Sequence, residues 1–205
     1  MKYLRRYEDG QRMNHWVVAL LFVLAGLSGL AFFHPSLFFF TNLFGGGAWT
    51  RILHPFLGLA MVICFLGLFV KLWRDNRMNE ADKAWRAKMG EMLKGHKEAM
   101  PPVGKYNAGQ KLVFWALSWS LLVLVVTGFM FWRPWFAPYF PINVMRVAVL
   151  LHSVAAVVLV IATIMHVYAA IWVKGTIRAM TRGTVSEAWA KKNHALWHAD
   201  MTRGK

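Results

Sequence analysis

Residues 147–173 read VAVLLHSVAAVVLVIATIMHVYAAIWV, twenty-seven positions without a single Asp, Glu, Lys or Arg. A helix needs about 20 apolar residues to cross the hydrocarbon of a bilayer, so this stretch predicts a membrane span. Two histidines interrupt it, His152 and His166, fourteen residues apart. At about 100° per residue, fourteen steps return to within about 40° of the starting direction, so both rings leave one helix face. At about 1.5 Å per residue they stand roughly 21 Å apart along the axis, one near each end of the span. A polar ring in hydrocarbon is costly unless paired or ligating, so two rings on one face ask for two partners.

The rest of the chain has the same character. Of its 205 residues 58% are hydrophobic and 16% charged, with a mean hydropathy of +0.40, values of an integral membrane protein and not of a soluble domain. The formal net charge of +15 does not read as a nucleic-acid surface. Its basic residues fall in blocks between apolar runs, the pattern of membrane-flanking segments, and no nucleic-acid partner is expected. The one cysteine, Cys64, lies inside an apolar run, which excludes a disulfide framework and a C-x-x-C-H haem attachment site.

Working outward, three further spans are predicted, at about 14–33, 52–72 and 112–132. The first follows a basic head and is longer than the apolar core of a signal peptide, with no small-x-small cleavage site after it, so it reads as retained. Pro55 suits the first turn of the second span. Between the second and third spans, residues 73–111 hold an amphipathic helix ending near Gly95, then the Pro101-Pro102 break. The loop 133–146 carries Pro134, Pro138 and Pro141. In the tail, 174–205, the VSEAWAKKNHALW portion is expected to lie along a membrane surface. No internal repeat is evident. The expected fold is an all-α integral membrane protein: one membrane domain over residues 1–205, a bundle of four transmembrane helices.

Of the 24 Lys and Arg residues, 21 lie in the head, the central loop and the tail; three lie in the two remaining connections. The positive-inside rule then places both termini and the central loop in the cytoplasm of a bacterial inner membrane, with a multi-pass chain. Trp16, Trp73 and Trp172 near the cytoplasmic ends, and Trp49, Trp132 and Trp135 near the outer ends, suit interfacial belts.

Orientation sorts the histidines by depth. His54 and His152 open inward-running spans and lie near the outer face; His15, opening the first span, and His166, late in the fourth, lie near the cytoplasmic face. His34 rivals the outer pair, but it precedes a proline just beyond the first span. Each layer offers two imidazoles and no carboxylate or thiolate. A closed zinc site wants four protein ligands, or three plus water; two facing imidazoles in a helix bundle are the set that grips haem iron axially. Gly58, Ala155, Ala156, Ala169 and Ala170 beside these rings leave room for a flat macrocycle, and serve helix packing equally well. His15, His54, His152 and His166 are therefore the candidate iron ligands of two b-type haems.

NHW at 14–16, RILHPF at 51–56, VGKYNAGQK at 103–111, FWRPWFAPYFP at 131–141 and HVYAAIWVKGTIRAM at 166–180 resemble the gamma subunit of membrane-bound respiratory formate dehydrogenase, over essentially the whole chain. The resemblance implies a dihaem cytochrome b, with the outer haem on His54 and His152 and the inner haem on His15 and His166. It further implies a quinone site, for menaquinone or ubiquinone, formed in part by Asn107, Gly109 and Gln110. Asn and Gln can donate to a quinone carbonyl and glycine admits close approach; from the residues alone, Asn107 as a helix cap is an equal reading. The partners implied are an iron–sulfur beta subunit and a molybdenum or tungsten catalytic alpha subunit, in a higher oligomer of the heterotrimer. Formate chemistry would lie on that alpha subunit and none on this chain, which serves electron transport in the respiratory chain, including anaerobic respiration.

Other readings share parts of this pattern. The cytochrome b subunits of membrane hydrogenases and thiosulfate reductases follow the same four-helix plan. A haem-free, quinone-binding membrane anchor explains the spans but leaves four histidines idle. A metal transporter would gather its rings at the midplane and not in two layers.

Overall fold

A computed structural model describes residues 2–133 and 135–203; Pro134 and the extreme ends of head and tail lie outside the described residues. The chain is organised around four long helices, α1 (Asp9–Phe33), α2 (Gly47–Leu72), α5 (Ala108–Phe131) and α6 (Ile142–Trp172). Among the described residues these four are long and apolar enough to cross a membrane. Each starts four or five residues before the apolar run that foretold it. Hydropathy marks where hydrocarbon begins, whereas backbone hydrogen bonding carries the helix on into the interface. Asp9 in the first turn of α1 favours that early start by facing the positive end of the helix dipole.

Pro55 consequently sits well inside α2, and not in its first turn as the sequence suggested. There it removes one i→i−4 bond, that to the Arg51 carbonyl. The connection from α1 to α2 is a 3₁₀ segment, Pro35–Phe44. His34 caps it, its Nδ1 accepting from the Ser36 N–H at 3.2 Å. Gly45 and Gly46, at φ of +82° and +94°, turn the chain into α2 through a left-handed conformation that costs glycine little.

The helices are apolar on every side, so large side chains such as Ile63, Leu150, Ile164 and Ile171 stand more than 60% exposed. In water that would be a liability; in lipid it is the outer wall of a bundle. Trp16, Trp49, Trp135 and Trp172 are exposed as well, as interfacial anchors require.

The chain forms two compact units. One comprises Met13–Val70 and Ala116–Thr163. Its core takes one buried residue from each long helix, Ala25, Met61, Leu121 and Leu159, flanked by Phe22, Leu57, Phe65 and Leu117. Asn14 Nδ2 adds a polar tie, donating to the Cys64 carbonyl at 2.8 Å. The approach is close: a Cβ on Gly67 would lie 3.1 Å from that nitrogen.

The other unit joins the head through Arg12, Lys71–Trp115 and the chain from Ile164 onward. Here the tail joins the head, which the sequence reading did not foresee. Strand β1 (Tyr3–Arg5) pairs antiparallel with β2 (Thr184–Ser186), Leu4 facing Val185; α7 (Thr176–Arg182), α8 (Glu187–Asn193) and α9 (Ala195–Thr202) complete the tail. Leu4, Ala179, Val185, Trp189, Ala190 and Trp197 make a shared core, so the two tryptophans are buried against the head. Gly183 permits the turn before β2, at φ +74° and with its Cβ position 2.8 Å from the Tyr7 carbonyl.

Arg6 is buried in this core, its guanidinium 4.8 Å from the Trp197 ring centroid and 5.2 Å from that of Trp189, distances at which ring faces attract a cation. It donates to the Lys105 carbonyl and lies 3.4 Å from His194 Nε2. The central loop folds into α3 (Glu80–Ala87) and α4 (Met89–Leu93). Asn79 and Asp82 cap α3 reciprocally. A buried ion pair, Lys111 Nζ to Asp82 Oδ2 at 2.6 Å, fastens α3 to the first turn of α5.

Candidate functional site

His54 of α2 and His152 of α6 come together in the helical unit, with ring centroids 6.3 Å apart and ring planes at 72°. Both rings are half-buried. An imidazole nitrogen lies about 1.15 Å from its ring centroid and binds a metal at about 2.0–2.1 Å. Two imidazoles on opposite sides of one metal therefore hold their centroids about 6.3–6.5 Å apart. His54 and His152 stand at that separation. Among the described residues no group of three His, Cys, Asp or Glu side chains gathers anywhere, so the donor set here is two imidazoles. That set suits the axial positions of a haem iron. A Cβ on Gly58, one turn after His54, meets nothing within 4 Å, which leaves space beside the ring. Ala155 is buried and serves helix packing instead.

Each ring turns its Nδ1 toward a hydroxyl on a neighbouring helix. Ser28 Oγ of α1 lies 2.9 Å from His54 Nδ1, and Thr127 Oγ1 of α5 lies 3.0 Å from His152 Nδ1. The residue after each hydroxyl is glycine: a Cβ on Gly29 would stand 3.0 Å from His54 Cε1, and one on Gly128 would stand 3.4 Å from His152 Cε1. Phe131 meets His152 edge-on at 5.2 Å. The sequence reading missed these five residues. A signal was present: SGLAFFHP at 28–35 and TGFMFWRP at 127–134 repeat a Ser/Thr, a Gly, an aromatic and a Pro at matching steps.

The other candidates distribute as follows. His15 lies on α1 beside Trp16, edge to face at 5.3 Å, and belongs to the helical unit; His166, late in α6, belongs to the other. His34 is occupied as a helix cap. Asn107 and Gln110 form a reciprocal capping box at the start of α5: Asn107 Oδ1 accepts from the Gln110 N–H at 2.9 Å, and Gln110 Oε1 accepts from the Asn107 N–H at 3.0 Å. The cap reading of Asn107 thus holds, and the box engages only the amide oxygens, leaving both NH2 groups outside it. Gly109 has a packing reason of its own. A Cβ there would lie 3.1 Å from Trp85 Cη2, and Trp85 is buried with Val103 and Ala108.

Comparison with known proteins bears on what such a bundle does. The family model described as prokaryotic cytochrome b561 matches residues 6–183. The chain is 43% identical over 198 residues to the formate dehydrogenase cytochrome b556(fdo) subunit of Escherichia coli K12, covering 97% of this chain and 93% of that one. It is 42% identical over 194 residues to the nitrate-inducible formate dehydrogenase cytochrome b556(Fdn) subunit of the same organism, covering 95% and 89%. To the formate dehydrogenase cytochrome b556 subunit of Haemophilus influenzae it is 38% identical over 200 residues, covering 98% and 84%.

Proposed function

The chain belongs to the prokaryotic cytochrome b561 family, and from that premise we propose that it is the cytochrome b subunit of a formate dehydrogenase, carrying electrons from an iron–sulfur partner to a quinone. The observation that carries this reading is the 6.3 Å between His54 and His152, the spacing of two imidazoles on one haem iron, among four long apolar helices. His54 and His152 hold the outer haem; His15 and His166, sorted to the opposite depth by the charge asymmetry, hold the inner one. A haem held by these residues would supply one-electron chemistry.

The protein's own part is to bind, orient and insulate. The long helices carry the imidazoles, and their apolar side chains keep water from the space between them. Asn107 and Gln110 donate from their NH2 groups to a quinone carbonyl, while their oxygens hold the start of α5. Gly109 keeps Trp85 packed behind them. Formate oxidation belongs to the partner subunits, the iron–sulfur protein and the molybdenum or tungsten catalytic subunit.

Both termini face the cytoplasm of a bacterial inner membrane in this reading. Beyond the basic blocks, the β1–β2 ladder supports it: head and tail hydrogen-bond to each other, so they share one side of the membrane. Arg6 donates to the Lys105 carbonyl, which brings the central loop to that side too.

The test is the haem content of the purified chain, by reduced-minus-oxidised and pyridine haemochrome spectra. Two b-type haems per chain are expected, falling to one in His54→Ala and in His152→Ala. A preparation without b-type bands, or a His54→Ala variant that keeps both haems, refutes the reading.

A further inference from the structure

We propose that Ser28 and Thr127 are positioning residues for the outer imidazole pair, fixing each ring in the tautomer that turns a bare Nε2 to the iron. The inference rests on the assignment of His54 and His152 as axial ligands.

The hydrogen-bond accounting decides it. Ser28 Oγ lies 3.0 Å from the Ala25 carbonyl of its own helix, and Thr127 Oγ1 lies 2.6 Å from the Val123 carbonyl. A carbonyl can only accept, so each hydroxyl spends its single proton on the backbone. Its oxygen can then only accept from the facing ring, at 2.9 Å for His54 and 3.0 Å for His152. A neutral imidazole carries one N–H. With that proton on Nδ1, Nε2 keeps its lone pair and is ready to bind a metal.

Both hydroxyls are fully committed. Ser28 is 0% exposed and Thr127 4%, so the exchange of one hydroxyl for another donor or for water is closed off. Gly29 and Gly128 complete the seat, since each ring's Cε1 rests where a Cβ would stand, at 3.0 and 3.4 Å. The arrangement occurs twice, on different helix pairs. Ser28 and His54 are 26 residues apart, Thr127 and His152 25 apart. Two independent recurrences of hydroxyl, glycine and ring are hard to assign to packing alone, which asks for neither a hydroxyl nor the same ring edge.

An acceptor on the distal ring nitrogen raises the basicity of a ligating histidine. A more basic ligand stabilises ferric over ferrous iron, so these hydroxyls hold the outer haem's potential down. Losing one hydrogen bond, worth about 0.5–1.5 kcal/mol net, shifts the reduction equilibrium roughly two- to thirteenfold; tenfold in a one-electron couple is about 59 mV.

Redox titration with low-spin electron paramagnetic resonance of the full chain tests this, in Ser28→Ala, Thr127→Val, the double variant and Thr127→Ser. The expected result is two haems retained, with one of them easier to reduce by that factor in Ser28→Ala and in Thr127→Val. Its resonance positions should move, the second haem should stay unchanged, and Thr127→Ser should return the wild-type values. Loss of one haem in Thr127→Val with recovery in Thr127→Ser supports the same conclusion. Unchanged potentials and resonances in the double variant overturn it, as does loss in Thr127→Ser as well. The ligand assignment fails separately, if His54→Ala keeps both haems.

Discussion

Acidification should loosen the cluster that joins head to tail, and His194 sets the size of the effect. His194 is 3% exposed. Its Nδ1 donates to the Gly104 carbonyl at 2.8 Å, so in the neutral ring Nε2 accepts from Arg6 Nη2 at 3.4 Å. Burial first, and the Arg6 guanidinium second, push its pKa down from 6.5 to about 4, against the pull of the Gly104 bond. Protonation would turn Nε2 into a donor facing a buried cation. Because the folded value lies below the unfolded one, the unfolded segment binds more protons between pH 6.5 and 4. The stabilisation is therefore present above pH 6.5 and drains away as pH falls through that window. The whole difference is worth at most about 3 kcal/mol, at 1.36 kcal/mol per unit. Between pH 7 and pH 5 the share lost is about 2 kcal/mol, or roughly thirtyfold in the opening equilibrium. Amide hydrogen exchange in nanodiscs reads this on peptides covering residues 184–202, each rate divided by its intrinsic rate at that pH. His194→Gln keeps a donor for Gly104 and has no proton to gain, so its exchange should be flat with pH. The same thirtyfold loss in His194→Gln would refute the reasoning.

Two further outcomes follow from the buried contacts around α5. Asp82→Asn leaves Lys111 charged and 5% exposed at its side chain, and should cost about 3–5 kcal/mol of stability, whereas pairing it with Lys111→Met should recover most of that. Thermal unfolding of the four proteins of this cycle checks it, and strictly additive losses would deny the coupling. Asn107→Asp and Gln110→Glu keep the oxygens that cap α5 and remove the NH2 donors, so quinone reduction should fall roughly tenfold, about one hydrogen bond's worth, with both haems and helicity intact. Quinone kinetics at the wild-type rate in both variants would remove these residues from the quinone site.

Much of the architecture was legible because membrane spans are written in composition. Runs such as 147–173 have no charge to place, and only helices satisfy their own backbone in lipid. The pairing of His54 with His152 was legible too, and the structure brings their rings together. The β1–β2 ladder was not. Three-residue strands carry no usable period, and their pairing joins residues about 180 positions apart. The capping box at 107–110 was half legible, as Asn107 marked a cap while the return bond from Gln110 needed the backbone to be in place.

By itself the sequence determined four apolar spans and which span carries each imidazole, because each depends on the nature of residues along one helix. Which ring edge meets which hydroxyl was decided only by tertiary structure. That depends on how α1 rotates against α2, and α5 against α6, and helices apolar on every side carry no stripe that states the rotation. Buried contacts settled it: Ser28 and Thr127 face the rings, and the glycines beside them let the helices close.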